Sequence, residues 1–350
     1  MKSRLARILD VQLPIVLGPF GGLSSIGLTA AVSELGGLGS FGLYGYTPDR
    51  IRKTMLALRW QTRAPFAVNL WLPAGVEPAP ADLDFDRYAS ALAPFFAEVG
   101  LDLPARPDAF LPTFDDQIRA VLELAPPVIS FVFGVPSGEI VDEAHSLGIM
   151  LIGSATTVDE AIALEAGGMD AVAVTGFEAA GHRVSFLLPA EQSLVGTIAL
   201  VPQVVDAITL PVIAAGGIAD RRGVAAAFAL GADGVQVGTA FLATRQSAAN
   251  DAHRQAIRET PANGTVLTTA MSGRLARGIP NRAVRLIEAG GTTAPFPAQN
   301  WLTGLFRAEA SRRGLGELQS LWLGQAARLA VRSEADEVFA ELAAGIPQPM

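Results

Sequence analysis

Short apolar runs, each about as long as a β-strand, recur along the chain and alternate with longer stretches rich in alanine and leucine. Nearly every position within these runs is apolar, which is typical of strands that are buried on both faces. A parallel sheet covered by helices contains such strands. The pattern predicts eight strands, at residues 14–18, 37–41, 66–70, 128–133, 149–154, 171–175, 211–216 and 234–238.

Four of the predicted helix-to-strand junctions carry a glycine directly after an Ala/Leu-rich stretch. Their sequences are SELGGLGS, AHSLGIML, LEAGGMDAV and ALGADGVQV. A glycine past the end of a helix adopts the left-handed conformation that other residues resist, so the chain can reverse into a strand. Strand and helix therefore alternate. Eight such units favour an α/β fold of the closed (β/α)8 type, a TIM barrel, over an open doubly wound sheet.

Two stretches interrupt this alternation. Residues 73–112, which include LPAGVEPAPADLDFD, are rich in proline and acidic residues and predict an insertion after the third strand. Residues 245–311 follow the eighth strand without further strand periodicity and predict a helical cap that contributes to the substrate site. The Leu/Ala-rich segment GELQSLWLGQAARLA predicts a closing helix. The expected organisation is a barrel domain over 1–244, the cap over 245–311, and a C-terminal helix within 312–350 that returns to the barrel.

Composition and charge exclude several classes of function. The chain has 350 residues, half of them hydrophobic, and no cysteine, so thiolate metal sites and cysteine nucleophiles are excluded and a reducing cytoplasm is the expected location. A net charge of −8 without a basic run argues against a nucleic-acid partner. The only lysines, Lys2 and Lys53, are poorly placed for Schiff-base chemistry. No apolar run is long enough to span a membrane.

Two glycine-containing turns are the strongest local signal of a ligand. AAGGIAD at 214–220 and QVGTAF at 236–241 follow the seventh and eighth predicted strands, where TIM barrels commonly bind phosphate through backbone N–H groups. Gly216, Gly217 and Gly238 would let the backbone approach the phosphate, and Thr239 adds a hydroxyl. Ordinary tight turns are the alternative interpretation. GLGSFG at 37–42 follows a helical stretch rather than a strand, so we reject a dinucleotide site there.

Polar side chains at the predicted strand ends suggest the rest of the site. His182 follows the sixth strand, where an imidazole can bind substrate or move a proton, and its neighbour Arg183 can offer positive charge to an anion. Asn69 and Gln236 carry amides that suit the edge of a flavin ring. Packing and solvent exposure remain the alternatives for each. Glu178 is assigned to loop structure. Because the strand ends lack carboxylates and the three histidines are far apart, we predict no metal.

Several longer strings together resemble the nitronate monooxygenases, formerly called 2-nitropropane dioxygenases. They are TGFEAAGHRVSFL, the continuous stretch 200–244, SGRLARGIPNR, QNWLTGL and LWLGQ, and the resemblance runs from Gln12 to Gln325. It implies a (β/α)8 barrel that binds FMN, needs no metal, and oxidises alkyl nitronates with O2 to a carbonyl compound and nitrite. By the same resemblance, His182 matches the active-site histidine. The flavin-contacting positions are matched by Asn69, Gly217, Gln236, Val237, Gly238 and Thr239.

Three positions near the expected flavin and substrate depart from the family pattern. Thr175 stands where many members have glutamine, Ala180 where the string AGGH has its first loop glycine, and Phe20 where a methionine is common. Thr175, Ala180 and Gly181, together with Gly216, remain expected cofactor contacts. Phe20 and Arg183 are expected in the substrate pocket. These departures bear on substrate range more than on FMN binding.

The function expected from the sequence is oxidation of an anionic nitronate, such as propionate 3-nitronate, by an FMN enzyme with His182 as its catalytic residue. The expected partners are therefore this anion and O2, with no nucleic acid and no membrane. An FMN-dependent NAD(P)H:quinone or enoyl-thioester reductase of the same superfamily is the alternative. A flavin- or phosphate-binding protein without catalysis is a third interpretation. The sequence leaves open the physiological substrate, the use of neutral nitroalkanes and the oligomeric state, a homo-oligomer included.

Overall fold

The computed structural model describes residues 3–75 and 77–347, and its centre is a ring of eight parallel strands. The barrel strands are β1 (Ile15–Leu17), β2 (Gly39–Gly42), β3 (Phe66–Trp71), β4 (Val128–Val132), β5 (Met150–Ala155), β6 (Ala171–Thr175), β8 (Val212–Ala215) and β9 (Gly234–Val237). Their order around the ring is β1-β9-β8-β6-β5-β4-β3-β2, and a bridge between Val16 and Leu38 joins the two edges of the sheet. The predicted TIM barrel is confirmed. Each predicted strand overlaps an observed one.

Helices surround this barrel, and several of them begin after a residue whose side chain caps the first helical turn. Side chains of Ser25, Thr47 and Asp220 accept backbone N–H bonds at the first turns of their helices. One glycine in each of the four predicted junctions has a positive φ, from +73° to +92°: Gly36, Gly148, Gly168 and Gly231. The helices are α1 (Arg4–Ile8), α2 (Ile26–Glu34), α3 (Pro48–Gln61), α4 (Phe85–Ala91), α5 (Ala93–Glu98), α6 (Phe114–Leu122), α7 (Gly138–Ser146), α8 (Val158–Ala166), α9 (Thr197–Ala207), α10 (Arg221–Ala229), α11 (Thr239–Leu242), α12 (Asp251–Glu259), α13 (Arg282–Gly290), α14 (Ala298–Arg312) and α15 (Ala335–Ala343).

The interior of the barrel is filled from its amino end. Val16, Ala67, Ile152 and Ile213 belong to a buried cluster that also includes Leu5 of α1, so the first helix closes this end of the ring. Strand residues of the opposite orientation pack against the surrounding helices in a second, larger cluster. Because both faces of each strand are covered, the carboxyl ends of the strands are the part of the barrel left for a ligand.

The region after the last barrel strand contains a small sheet as well as helices, so the expectation of a purely helical cap is wrong. Strand β10 (Val266–Thr268) pairs with β11 (Ala276–Gly278), which pairs in turn with β7 (Gly181–His182), all antiparallel. The insertion after β3 supplies α4 and α5, and these helices share a buried cluster with α13 and α14. Strand β7 therefore ties the loop after β6 to the cap.

The predicted helix over 316–330 is also wrong. This segment has short 3-10 turns at Gly316–Leu318 and Ala327–Leu329 with non-helical backbone between them. The regular helix near the C-terminus is α15, which packs against α2 and α10 on the outside of the barrel. The domain boundaries at 244 and 311 stay predictions. None of the described helices is long and apolar enough to cross a membrane.

Candidate active site

A cavity of about 550 Å³ lies at the carboxyl ends of the barrel strands. Its floor includes residues in the carboxyl-terminal halves of several strands, among them Asn69, Thr175 and Gln236, and its upper wall comes from the cap and the segment that follows α14. The predicted site residues that line it are Phe20, Asn69, Thr175, Ala180, Gly181, His182, Gly216, Gly217, Gln236, Gly238 and Thr239. The fold therefore brings together residues that are more than 200 positions apart.

Two predicted site residues do not line this cavity. Arg183 is only 2% exposed, and its guanidinium donates to the backbone carbonyls of Thr175, Gly176 and Ser193 at 2.8–3.2 Å. The expectation that Arg183 lies in the substrate pocket is thereby corrected, because its charge holds the loop after β6 instead. Val237 has a fully buried side chain in the cluster between the strands and the surrounding helices, and its carbonyl accepts a bond from the Gly18 N–H.

His182 lies between aromatic walls. Its ring centroid is 5.0 Å from that of Trp71 and 5.7 Å from that of Trp322, and its Nε2 is 2.8 Å from the Ser272 hydroxyl. Burial lowers the pKa of His182 to about 3, and the positive charges of Arg274 and Arg307 act in the same direction. The imidazole is therefore uncharged at neutral pH.

Two arginines lie close enough to His182 to act on it electrostatically. The Arg274 guanidinium is 3.8 Å from the ring centroid of Phe296 and forms an ion pair of 2.8 Å with Glu77. Arg307 lines the cavity from α14. Composition gave no sign of this concentration of charge. Arg274 and Trp322 did fall within the strings SGRLARGIPNR and LWLGQ, but the resemblance assigned no role to either residue.

The glycine turns after β8 and β9 present unused backbone donors. Gly216 and Gly217 have φ of +102° and +73°, and a Cβ on Gly216 would lie 3.0 Å from the Gly176 carbonyl oxygen. In the described part of the chain, the N–H groups of Gly217, Gly238 and Thr239 have no hydrogen-bond acceptor. Three such groups on one cavity fit a phosphate.

The two predicted amides also have hydrogen-bonding capacity to spare. Asn69 Nδ2 donates to the backbone and hydroxyl oxygens of Ser130, which leaves the Asn69 side-chain oxygen as an acceptor. Within residues 3–75 and 77–347, the Gln236 side chain makes no hydrogen bond. A heterocycle that both donates and accepts along one edge, as a flavin does, fits this pair.

Comparison with known proteins assigns the family. A model of the nitronate monooxygenase family matches residues 2–345. A probable nitronate monooxygenase of Staphylococcus aureus (strain Newman) is 39% identical over 351 aligned positions, covering 100% of this chain and 98% of that protein. The chain belongs to the nitronate monooxygenase family. It is accordingly a flavin-dependent oxidoreductase.

Solved structures similar to this family member agree in fold. A nitroalkane oxidase from Streptomyces ansochromogenes superimposes with a TM-score of 0.86 at 36% identity, covering 97% of this chain and 96% of that one. FabK from Thermotoga maritima gives a TM-score of 0.76 at 30% identity, with 98% and 95% covered. Both likenesses extend over the cap as well as the barrel.

Glu178 and the other two histidines of this nitronate monooxygenase family member have protein partners. Glu178 lines the cavity too, and its carboxylate accepts bonds from the Thr197 N–H and hydroxyl, as expected of a residue that holds the loop. His253 is buried on α12 and lies 2.9 Å from the Trp322 carbonyl oxygen, so it supports one wall of the cavity. His145 is exposed and pairs with Asp170. No cluster able to hold a metal ion occurs among the described residues.

Proposed function

We propose that this chain uses FMN to oxidise alkyl nitronates, such as propionate 3-nitronate, with O2 to a carbonyl compound and nitrite. The observation that carries the proposal is the joint position of an uncharged His182, the arginine Arg307 and unused backbone donors around one cavity. Positive charge favours an anionic substrate, and the free N–H groups favour a phosphate-bearing cofactor.

The residues around the cavity offer hydrogen-bonding groups for both the phosphate and the ring of FMN. The N–H groups of Gly217, Gly238 and Thr239 would bind the phosphate, while the amides of Asn69 and Gln236 would face the ring. Thr175, Ala180, Gly181 and Gly216 complete the predicted set that lines the cavity. When bound, FMN supplies a ring system that accepts electrons from an electron-rich substrate.

His182 would bind the nitronate as a neutral hydrogen-bond donor. The Ser272 hydroxyl lies 2.8 Å from Nε2 and 3.0 Å from the Arg274 carbonyl oxygen, and its one hydrogen can be donated to either. When that hydrogen is donated to Nε2, the imidazole carries its own hydrogen on Nδ1, for which the described residues provide no acceptor. Nδ1 can then donate to a substrate oxygen.

The low pKa of His182 favours a preformed anion over a neutral nitroalkane. An imidazole whose conjugate acid has a pKa of about 3 is a weak base and removes a carbon-bound proton poorly. The neutral imidazole can still donate a hydrogen bond to the substrate. We therefore assign nitronates as the main substrates. Trp71 and Trp322, whose rings lie beside the imidazole, would keep water from the bound anion.

A reductase that takes hydride from NAD(P)H is the second candidate, because the likeness to FabK covers the whole chain. Separate anaerobic samples of the FMN-loaded protein are mixed with propionate 3-nitronate, with NADH or with NADPH, and the visible flavin spectrum of each is followed. We expect bleaching by the nitronate alone, followed by nitrite release when air is admitted. Rapid bleaching by NADH or NADPH without an effect of nitronate would replace the proposal with the reductase. Bound flavin that neither reagent bleaches would indicate a binding protein without catalysis.

A further inference from the structure

Arg307 is a cation for which the described residues supply no acid. Its NH2 donates to the Asn300 backbone oxygen at 3.0 Å and to the Asn300 side-chain oxygen at 2.7 Å, and its NH1 donates to the Ser320 hydroxyl. These partners are all neutral, and Nε is buried without a partner. Arg274, by contrast, is paired with Glu77. Burial lowers the pKa of Arg307 to about 10, so the charge persists at neutral pH.

Two hydroxyl groups beside Arg307 retain hydrogens that no described residue accepts. The Tyr44 oxygen accepts a bond of 2.9 Å from the Asn300 amide, and the Ser320 oxygen accepts from Arg307. Neither hydroxyl donates to the described part of the protein. Burial raises the pKa of Tyr44 to about 12, so the phenol keeps its hydrogen and cannot neutralise the arginine. One positive charge and two hydroxyl donors thus lack an anion.

These groups share the cavity of His182 but occupy a different wall. Tyr44, Asn300, Arg307 and Ser320 all line it. The Tyr44 ring lies 4.2 Å from Trp71, and Trp71 lies 5.0 Å from His182, each measured between ring centroids. The aromatic side chains therefore separate the imidazole from the second group of donors. The glycine turns that suit a phosphate lie on the barrel side instead.

We propose that Arg307, Tyr44 and Ser320 form a second anion subsite, which binds an oxyanion, namely a carboxylate, at the far end of the substrate. This inference rests on the proposed function, since it places the nitronate group of the same molecule at His182. A buried cation without a counterion is costly, and a ligand carboxylate that accepts from the guanidinium and both hydroxyls relieves that cost. The subsite selects nitronates with two anionic ends over those with a plain alkyl tail.

The kinetic test compares propionate 3-nitronate with propyl-1-nitronate, which has a methyl group in place of the carboxylate. We expect Arg307→Met to lower kcat/KM for the first substrate about 30-fold, as for loss of a charge-assisted hydrogen bond, and to change the second less than about threefold. Arg312→Met removes an exposed arginine from the same helix and is the matched control. An equal loss for both substrates would refute the subsite.

A binding measurement separates this inference from the proposed function. Calorimetry on the FMN-loaded wild type is expected to show succinate binding at least about tenfold more tightly than butyrate, with the preference lost in Arg307→Met. This holds even if no nitronate is turned over. Should Arg307→Met fail to fold, Arg307→Lys and Tyr44→Phe are expected to reduce the preference. If all variants still bound succinate more tightly than butyrate, the subsite would be rejected. So would an FMN Kd that rises at least tenfold in Arg307→Met, because the cation would then serve the cofactor phosphate.

Discussion

We expect His182 to remain uncharged in the free enzyme across the working pH range, so kcat/KM for a nitronate should show no ionisation of this residue. Burial lowers its pKa from 6.5 to about 3, with the charges of Arg274 and Arg307 adding to the effect. At about 1.4 kcal/mol for each pKa unit, protonating the buried ring costs about 5 kcal/mol more than protonating an exposed one. At pH 6 only about one molecule in a thousand would carry the charge.

The assay is the initial rate of nitrite release from freshly diluted propionate 3-nitronate between pH 5.5 and 9. The profile of kcat/KM reports ionisations of the free enzyme and the free substrate. His182→Gln retains a donor that cannot titrate, so its profile should have the same shape as that of the wild type. His182→Ala should keep FMN but turn over nitronate at least about tenfold more slowly, because a hydrogen bond to the anion is lost. A bend near pH 6.5 that disappears in His182→Gln would refute the reasoning.

Two further substitutions test the loops around the cavity. Gly217→Ala should raise the FMN Kd at least about tenfold by strain and crowding where the phosphate would bind. Gly148→Ala, at a glycine with the same φ of +73° and open space around its Cβ, should leave the Kd unchanged, and an equal effect of both would contradict the assignment. Arg183→Met should reduce the free energy of unfolding by about 3 kcal/mol, measured in urea, since three hydrogen bonds from a buried guanidinium to backbone carbonyls are lost. If Arg183→Met instead raised KM for the nitronate and left the free energy of unfolding unchanged, Arg183 would be assigned to the substrate pocket.

Local patterns were sufficient to predict the barrel. A strand buried on both faces must be apolar at nearly every position, as at Val128–Val132, so it is visible in the sequence as a short apolar run. Glycines that end helices are equally visible, because a positive φ is costly for other residues. The position of His182 and the glycine turns after particular strands followed from the order of elements.

The alternation of side chains along extended backbone explains the error at Arg183. His182 ends β7 and lines the cavity, and the next side chain points away from it, into the protein beneath the loop. A strand of two residues is too short to show periodicity in a sequence. Which of two adjacent polar residues would face the ligand therefore depended on the pairing of β7 with β11.

The segment 316–330 has the composition of a helix but not its structure. Between its two short turns, backbone N–H groups donate to distant residues: that of Gly324 donates to the Thr239 hydroxyl, and that of Gln325 donates to the Glu178 carbonyl. These tertiary bonds replace those that a helix would make, and they hold Trp322 against His182.

The sequence by itself thus determined the barrel, the glycine turns and the place of His182 after a barrel strand, because each depends on local backbone preference or on burial that repeats along the chain. Only the tertiary structure decided the chemistry of the cavity wall, where Trp71, Trp322 and Arg307 come together from distant parts of the chain and Arg274 lies close enough to act on His182. The proton state of His182 depends on that assembly, since desolvation and neighbouring charge arise only when those side chains surround it.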